Sequence, residues 1–273
     1  MVFRRALFLL VLILPCVVSS GCGKLNFFST YRDREIIIDG KYTDFGNAMV
    51  YYDEKDKVAV NLLNDNDYLY ICLISRNRKI ETKLMESGFL VWFDPNGGKK
   101  KNFGIRFPIG LREMGIPLEK AKKGLDANWR DQEDISDKID KENEVDISLD
   151  KQLVTLEGLQ DKLMIMGPPP VRGKSPPGNK DMELNLQNTF NMGIEAKVGR
   201  QNGYFVYELK VPLVKSVQHP YAIEAKTGMP IGLGLEMQSA GKMSPPGMEM
   251  GERRQPEKSL QLWGTVILSH ESA

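Results

Sequence analysis

The sequence predicts an all-β fold, a sandwich of two antiparallel sheets, and three observations predict it. Short runs rich in Val, Ile, Leu, Tyr and Phe recur along the chain, several alternating apolar and polar residues at the period of a strand. Strong turn signals separate them: Asn64-Asp-Asn-Asp67, Asp94-Pro-Asn-Gly-Gly98 and Gln201-Asn-Gly203. Helical periodicity is scarce, and many strands with few helices pack as two layers. A chain of 273 residues has enough material for one large core of this kind.

The N-terminus reads as an export signal. Arg4 and Arg5 precede an apolar run from Ala6 to Val18, and Ser19, Ser20 and Gly21 follow. The run is too short for a spanning helix of about 20 residues. Gly21-Cys22 resembles the cleavage box of bacterial lipoproteins, although Ser19 stands where the pattern has a larger aliphatic residue. The resemblance implies residues 1–21 as signal peptide and Cys22 as a lipidated first residue. Its acyl chains, palmitate among them, would anchor the protein at about 0.8 kcal/mol per buried methylene. Gly23 rather than Asp follows, which by the same resemblance implies an extracytoplasmic protein on the outer membrane.

Residues 22–34 read as a tether. Val58–Leu62 and Tyr68–Ser75 then form a hairpin, and the second run is apolar on both faces, as in a strand covered on both sides. Cys72 inside it reads as a small buried side chain. Phe89–Phe93 and Phe103–Ile109 flank the Asp94 turn. Residues 111–152 are a charged insertion, helical at most over Glu119–Lys123. Strands return with "LVTLEGL" and "KLMIM". Phe190, Met192, Ile194, Ala196 and Val198 share one face, and Phe205, Tyr207, Leu209 and Val211 share another beyond the Asn202-Gly203 turn. Ile231–Met237 and Leu260–Leu268 complete the set, with Trp263 on the face opposite Leu262 and Val266. Residues 35–270 thus form a single domain.

"GPPPVRGKS", residues 167–175, imitates a phosphate loop but fails as one. Five residues separate Gly167 from Gly173 where four are required, and Pro168, Pro169 and Pro170 lack the N–H donors of a phosphate cradle. Pro176 and Pro177 forbid the helix that must follow. The segment excludes nucleotide and reads as an extended loop. A second loop repeats its Ser-Pro-Pro-Gly at Ser244–Gly247, and the two are expected to lie near one another at one end of the sandwich.

The charge balance excludes a nucleic-acid partner. There are 37 Lys and Arg, two of them in the signal, against 36 Asp and Glu. His219 and His270 make no metal pair, and no nucleophile elbow or zinc motif occurs, so the chain reads as non-catalytic. Residues 131–146 are dense in carboxylates, and Glu142 fits the twelfth position of a calcium loop begun at Asp131. Ser136 stands where its glycine belongs, so the segment reads as a solvated loop, with calcium an open cofactor. Met243 and Met248, in a loop beside Pro and Gly, suit a contact surface or a soft metal.

Ile38-Asp39-Gly40, Asp67 with Leu69 and Tyr70, Asp94 after "VWF", and Glu208 with Pro212-Leu213 together resemble carbohydrate-binding module family 9 and related sandwich domains. The resemblance implies a jelly-roll-like sandwich, often with structural calcium. Some members bind sugar ends between two tryptophans, and relatives bind haem. Trp92 falls in a core strand, which leaves Trp129 and Trp263 as the expected stacking residues. The expected function is a membrane-anchored, glycan-binding lipoprotein of the cell envelope. The alternatives are an envelope protein-assembly role and a haem-binding domain.

Overall fold

The computed structural model describes residues 25–46, 51–115, 160–167, 181–226, 228–237 and 260–271. Over these residues it is a two-sheet β-sandwich with two short α-helices. In chain order the strands are β1 (Leu25–Phe28), β2 (Thr30–Tyr31), β3 (Tyr51–Asp53), β4 (Val58–Asn64), β5 (Tyr68–Ser75), β6 (Phe89–Asp94), β7 (Phe103–Arg106), β8 (Lys162–Met166), β9 (Met182–Asn185), β10 (Glu195–Gln201), β11 (Tyr204–Pro212), β12 (Ile231–Met237) and β13 (Gln261–Ile267). Helix α1 (Arg78–Ser87) follows β5, and α2 (Leu186–Phe190) follows β9. One sheet runs β1-β13-β12-β6-β7-β8-β9. The other runs β10-β11-β5-β4-β2, with β3 also on β4.

The sheets are mixed rather than purely antiparallel. β1 lies parallel to β13, and β2 parallel to β4. Hairpins force antiparallel pairing because a two-residue turn reverses the chain. β1 and β2 have no such turn to their partners, and they pass from one sheet to the other through Ser29. That residue is pinned on both sides: its Oγ donates to Asn64 Oδ1 at 2.5 Å and its N–H to the Ile267 carbonyl at 3.1 Å. Within the stretch expected as tether, Leu25–Phe28 and Thr30–Tyr31 are thus edge strands.

Several expectations hold because local chemistry decides them. The Asn202-Gly203 turn has positive φ at both residues, 52° and 73°, and closes β10 onto β11 with Gln201 opposite Tyr204. Asp94 is buried and caps its own turn, accepting the N–H groups of Asn96 at 3.1 Å and Lys100 at 2.9 Å. β5 is apolar on both faces because both are covered. Leu69, Ile71 and Leu73 face the inter-sheet core, while Tyr70, Cys72 and Ile74 pack under residues 36–45. Cys72 is buried and free, and burial pushes its thiol pKa up.

Two elements differ from expectation. Phe190 lies in α2, not in a strand, and is 57% exposed; β10 begins only at Glu195. Asn185 caps α2 by accepting the Gln187 N–H at 2.9 Å, a local bond that outweighs the alternation of Phe190 and Met192. Helix α1 carries signals at both ends. Asn77 accepts the Lys79 N–H at 3.1 Å, and Gly88 at φ 79° ends it. Its Ile80, Leu84 and Met85 enter the core, and its buried Glu81 pairs with Arg200 of β10 at 3.0 Å.

The core lies between the sheets. Phe89 and Tyr207 meet edge to face at 4.8 Å, and Phe93 stacks on Phe103 at 5.7 Å. Tyr207 is fully buried, and its hydroxyl has no partner among the described residues. An unpaired buried hydroxyl keeps its desolvation penalty. Tyr207→Phe is expected to stabilise the fold by about 1 kcal/mol, read as a rise in the urea midpoint; a fall would mean that the hydroxyl is satisfied.

Candidate functional site

The outer face of the seven-stranded sheet carries an aromatic and polar cluster. In register across it, Trp263 on β13 stands opposite Gly234 on β12, Gly234 opposite Trp92 on β6, and Trp92 opposite Gly104 on β7. Each indole covers the glycine of the next strand. A Cβ on Gly234 would come within 3.0 Å of the Trp263 ring, and one on Gly104 within 3.0 Å of the Trp92 ring. The two rings belong to strands two apart, roughly 10 Å at the usual strand spacing. Trp263 is partly exposed, whereas Trp92 is only 8% exposed.

Glu236 organises the polar part. Its Oε1 accepts the Trp263 Nε1–H at 2.7 Å and the Gln261 amide at 3.2 Å, while Oε2 accepts Lys101 Nζ at 2.6 Å. Burial alone would raise its pKa, but the hydrogen bonds from Lys101, Trp263 and Gln261 outweigh burial and hold it below the usual glutamate value. Lys101 also stands 5.5 Å from the centre of the Trp92 ring. The Trp92 Nε1–H finds no acceptor among the described residues.

This arrangement suits recognition better than acid chemistry. Glycoside hydrolysis uses two carboxyl groups, one kept protonated by a raised pKa. Glu236 is held ionised instead. Asp94, a second carboxylate of this face, on β6, is spent on two backbone amides.

Two cavities lie away from this cluster. A cavity of 630 Å³ lies at one end of the sandwich, where Asp65, Met229, Ile267 and His270 meet. Asp65 there feels burial, which raises its pKa. The Asp67 and Tyr68 N–H groups, Arg32 and the Tyr70 hydroxyl together pull it below the usual value. Its charge is thus fully committed inside the fold. Beneath residues 36–45, a 90 Å³ space lies among Tyr42, Phe45, Asn61 and Cys72. Nearby, Glu208 accepts the Gly40 N–H at 2.6 Å, so two of the motifs singled out in the sequence meet in one buried bond.

Of the expected site residues, the structure describes Trp263 on the outer face. Trp129, Met243, Met248 and Cys22 lie outside the described residues, as do residues 131–146 and the proline loop after Gly167. Among the described residues no group of three or more His, Cys, Asp or Glu could hold a metal ion. His219 bonds the Tyr68 hydroxyl at 2.9 Å, a structural contact.

Sequence reasoning placed Trp92 in a core strand, as β6 is, and passed over Glu236, Gln261 and Lys101. Trp92 shares the Trp263 face because inward Phe89, Val91 and Phe93 leave alternate positions outward. The Gly232-x-Gly234 alternation was the available signal: glycines on one face of a strand leave room for large rings from its neighbours.

No protein-family model matches the chain, and no curated protein matches it. A solved structure similar to it is a carbohydrate binding module family 9 from Caldicellulosiruptor kristjanssonii in complex with glucose. The identity is 10%, the TM-score 0.40, and the match covers 91% of this chain and 97% of that one. A likeness this loose carries no weight for function, and the site rests on its own residues.

Proposed function

We propose that this chain is the non-catalytic, glycan-binding domain of an exported lipoprotein, held on a bacterial membrane by lipid on Cys22, with the outer membrane favoured. One observation carries the binding reading. A partly exposed indole, Trp263, lies over a glycine with its N–H fixed by Glu236, and Gln261 and Lys101 stand beside it. A sugar presents an apolar face of C–H groups and a rim of hydroxyls. The ring offers a surface for the first, and the carboxylate, amide and ammonium offer partners for the second.

Trp263 is the contact ring of this reading, and nearly buried Trp92 forms the wall behind it. Holding the indole in place before binding reduces the ordering that binding must achieve.

The test is a glycan array followed by titration calorimetry on the soluble domain. Trp263→Ala is expected to weaken binding at least tenfold, equivalent to about 1.4 kcal/mol, with an unchanged β circular-dichroism spectrum. Folded protein silent across the array would end the glycan reading. Lipidation is tested separately, by the intact mass of the N-terminal peptide and by loss of membrane association in Cys22→Ala.

A further inference from the structure

We propose that the side of the sandwich built from β1, β2 and β3 rests on the phospholipid surface, with Phe28, Ile267 and Tyr52 at the headgroup level. The proposal rests on lipidation at Cys22.

The argument begins with chain length. β1 starts at Leu25, three residues after Cys22, and pairs along its whole length with β13. Three extended residues reach at most about 10 Å. A lipid on the Cys22 sulfur therefore cannot hold the domain at a distance. It must bring the edge strand that follows within one strand's length of the bilayer.

The same side closes both sheets. β1 is the edge of one, β2 and β3 flank β4 at the edge of the other, and Phe27 meets Tyr51 edge to face at 5.3 Å across the gap. Beside that inner contact, apolar groups line the two rims of this side, Phe28 and Ile267 facing out from the seven-stranded sheet and Tyr52 from the six-stranded one. Phe28 is 57% exposed and stands opposite Ile267, which is 46% exposed, while Tyr52 on β3 is 53% exposed. Aromatic and aliphatic side chains of this kind, close to an acyl anchor, suit the membrane interface. A surface contact beside the acyl anchor adds to the attachment. Trp263 lies one strand in from this edge, so a glycan bound there is held close to the membrane.

The experiment uses the full chain, made in a bacterium that processes lipoproteins and reconstituted into vesicles of phosphatidylethanolamine and phosphatidylglycerol. Lipidated Cys22 has no thiol, and Cys72 is buried. A single new cysteine at Tyr52→Cys on β3, or at Lys197→Cys on the opposite edge strand β10, then carries a donor fluorophore. Energy transfer is read to an acceptor on the lipid headgroups. The two positions are four strand spacings apart, roughly 20 Å. Transfer is expected to be several-fold greater from position 52 than from 197. Equal or reversed transfer, with the lipid confirmed by mass, would overturn the docking and leave the anchor standing. If Cys22 carries no lipid, the N-terminal mass shows it, and the anchor and the docking fall together.

Discussion

Glu208→Gln is expected to make the fold more stable than the native protein at pH 8 and to differ little from it at pH 5. Glu208 is fully buried on β11, under residues 36–45. Burial pushes its pKa up to about 8, against the downward pull of the Gly40 N–H, and Asp39 and Asp44 nearby push it further up. In the unfolded chain the same carboxyl titrates near its ordinary 4.5. The folded state therefore binds a proton more tightly than the unfolded one. Whatever stability this contributes is complete below about 4.5 and is lost as pH rises toward 8. At about 1.4 kcal/mol per pH unit, the loss between pH 5 and 8 is on the order of 4 kcal/mol. Glutamine still accepts the Gly40 N–H and has no proton to lose. Urea unfolding of both proteins at the two pH values isolates the effect, because every other titrating group is common to them. A native protein whose stability falls no faster with pH than that of the variant would remove the argument.

The Gly40 bond also shows how much of this molecule was legible in its sequence. Turn chemistry and alternation were enough for β4 with β5, β6 with β7, β10 with β11, and β12. Each of those pairings is local or carries its own periodic signal. β1 was not legible. Four residues, Leu25–Phe28, look like any short apolar stretch, and what makes them a strand is Gly264–Ile267 near the other end of the chain. α1 was not read from the sequence either, because it is ten residues long and mostly polar and only its caps, Asn77 and Gly88, carry a signal. The site divides in the same way. Trp263 stood out as a large ring on the polar face of a strand. Glu236 and Lys101 did not, since a lone carboxylate and one lysine among three acquire meaning only when sheet register brings them together.

Gly234→Val is expected to destabilise the fold by about 2 kcal/mol and to abolish glycan binding. The sign runs against simple propensity, which makes it informative. Valine suits a strand and glycine weakens one, so on an open central strand this change would stabilise by up to about 1 kcal/mol. At Gly234 the new side chain meets the Trp263 ring within 3.0 Å, over strands that cannot recede. The ring must lift, and its N–H then leaves Glu236, which loses one of three donors to a largely buried carboxylate. Trp263→Ala removes the obstacle. In that background Gly234→Val is expected to be neutral or stabilising, a double-mutant coupling of about 2 kcal/mol that urea midpoints would register. A similar loss in both backgrounds would mean that Trp263 does not lie on Gly234, and the contact surface inferred for the glycan would go with it.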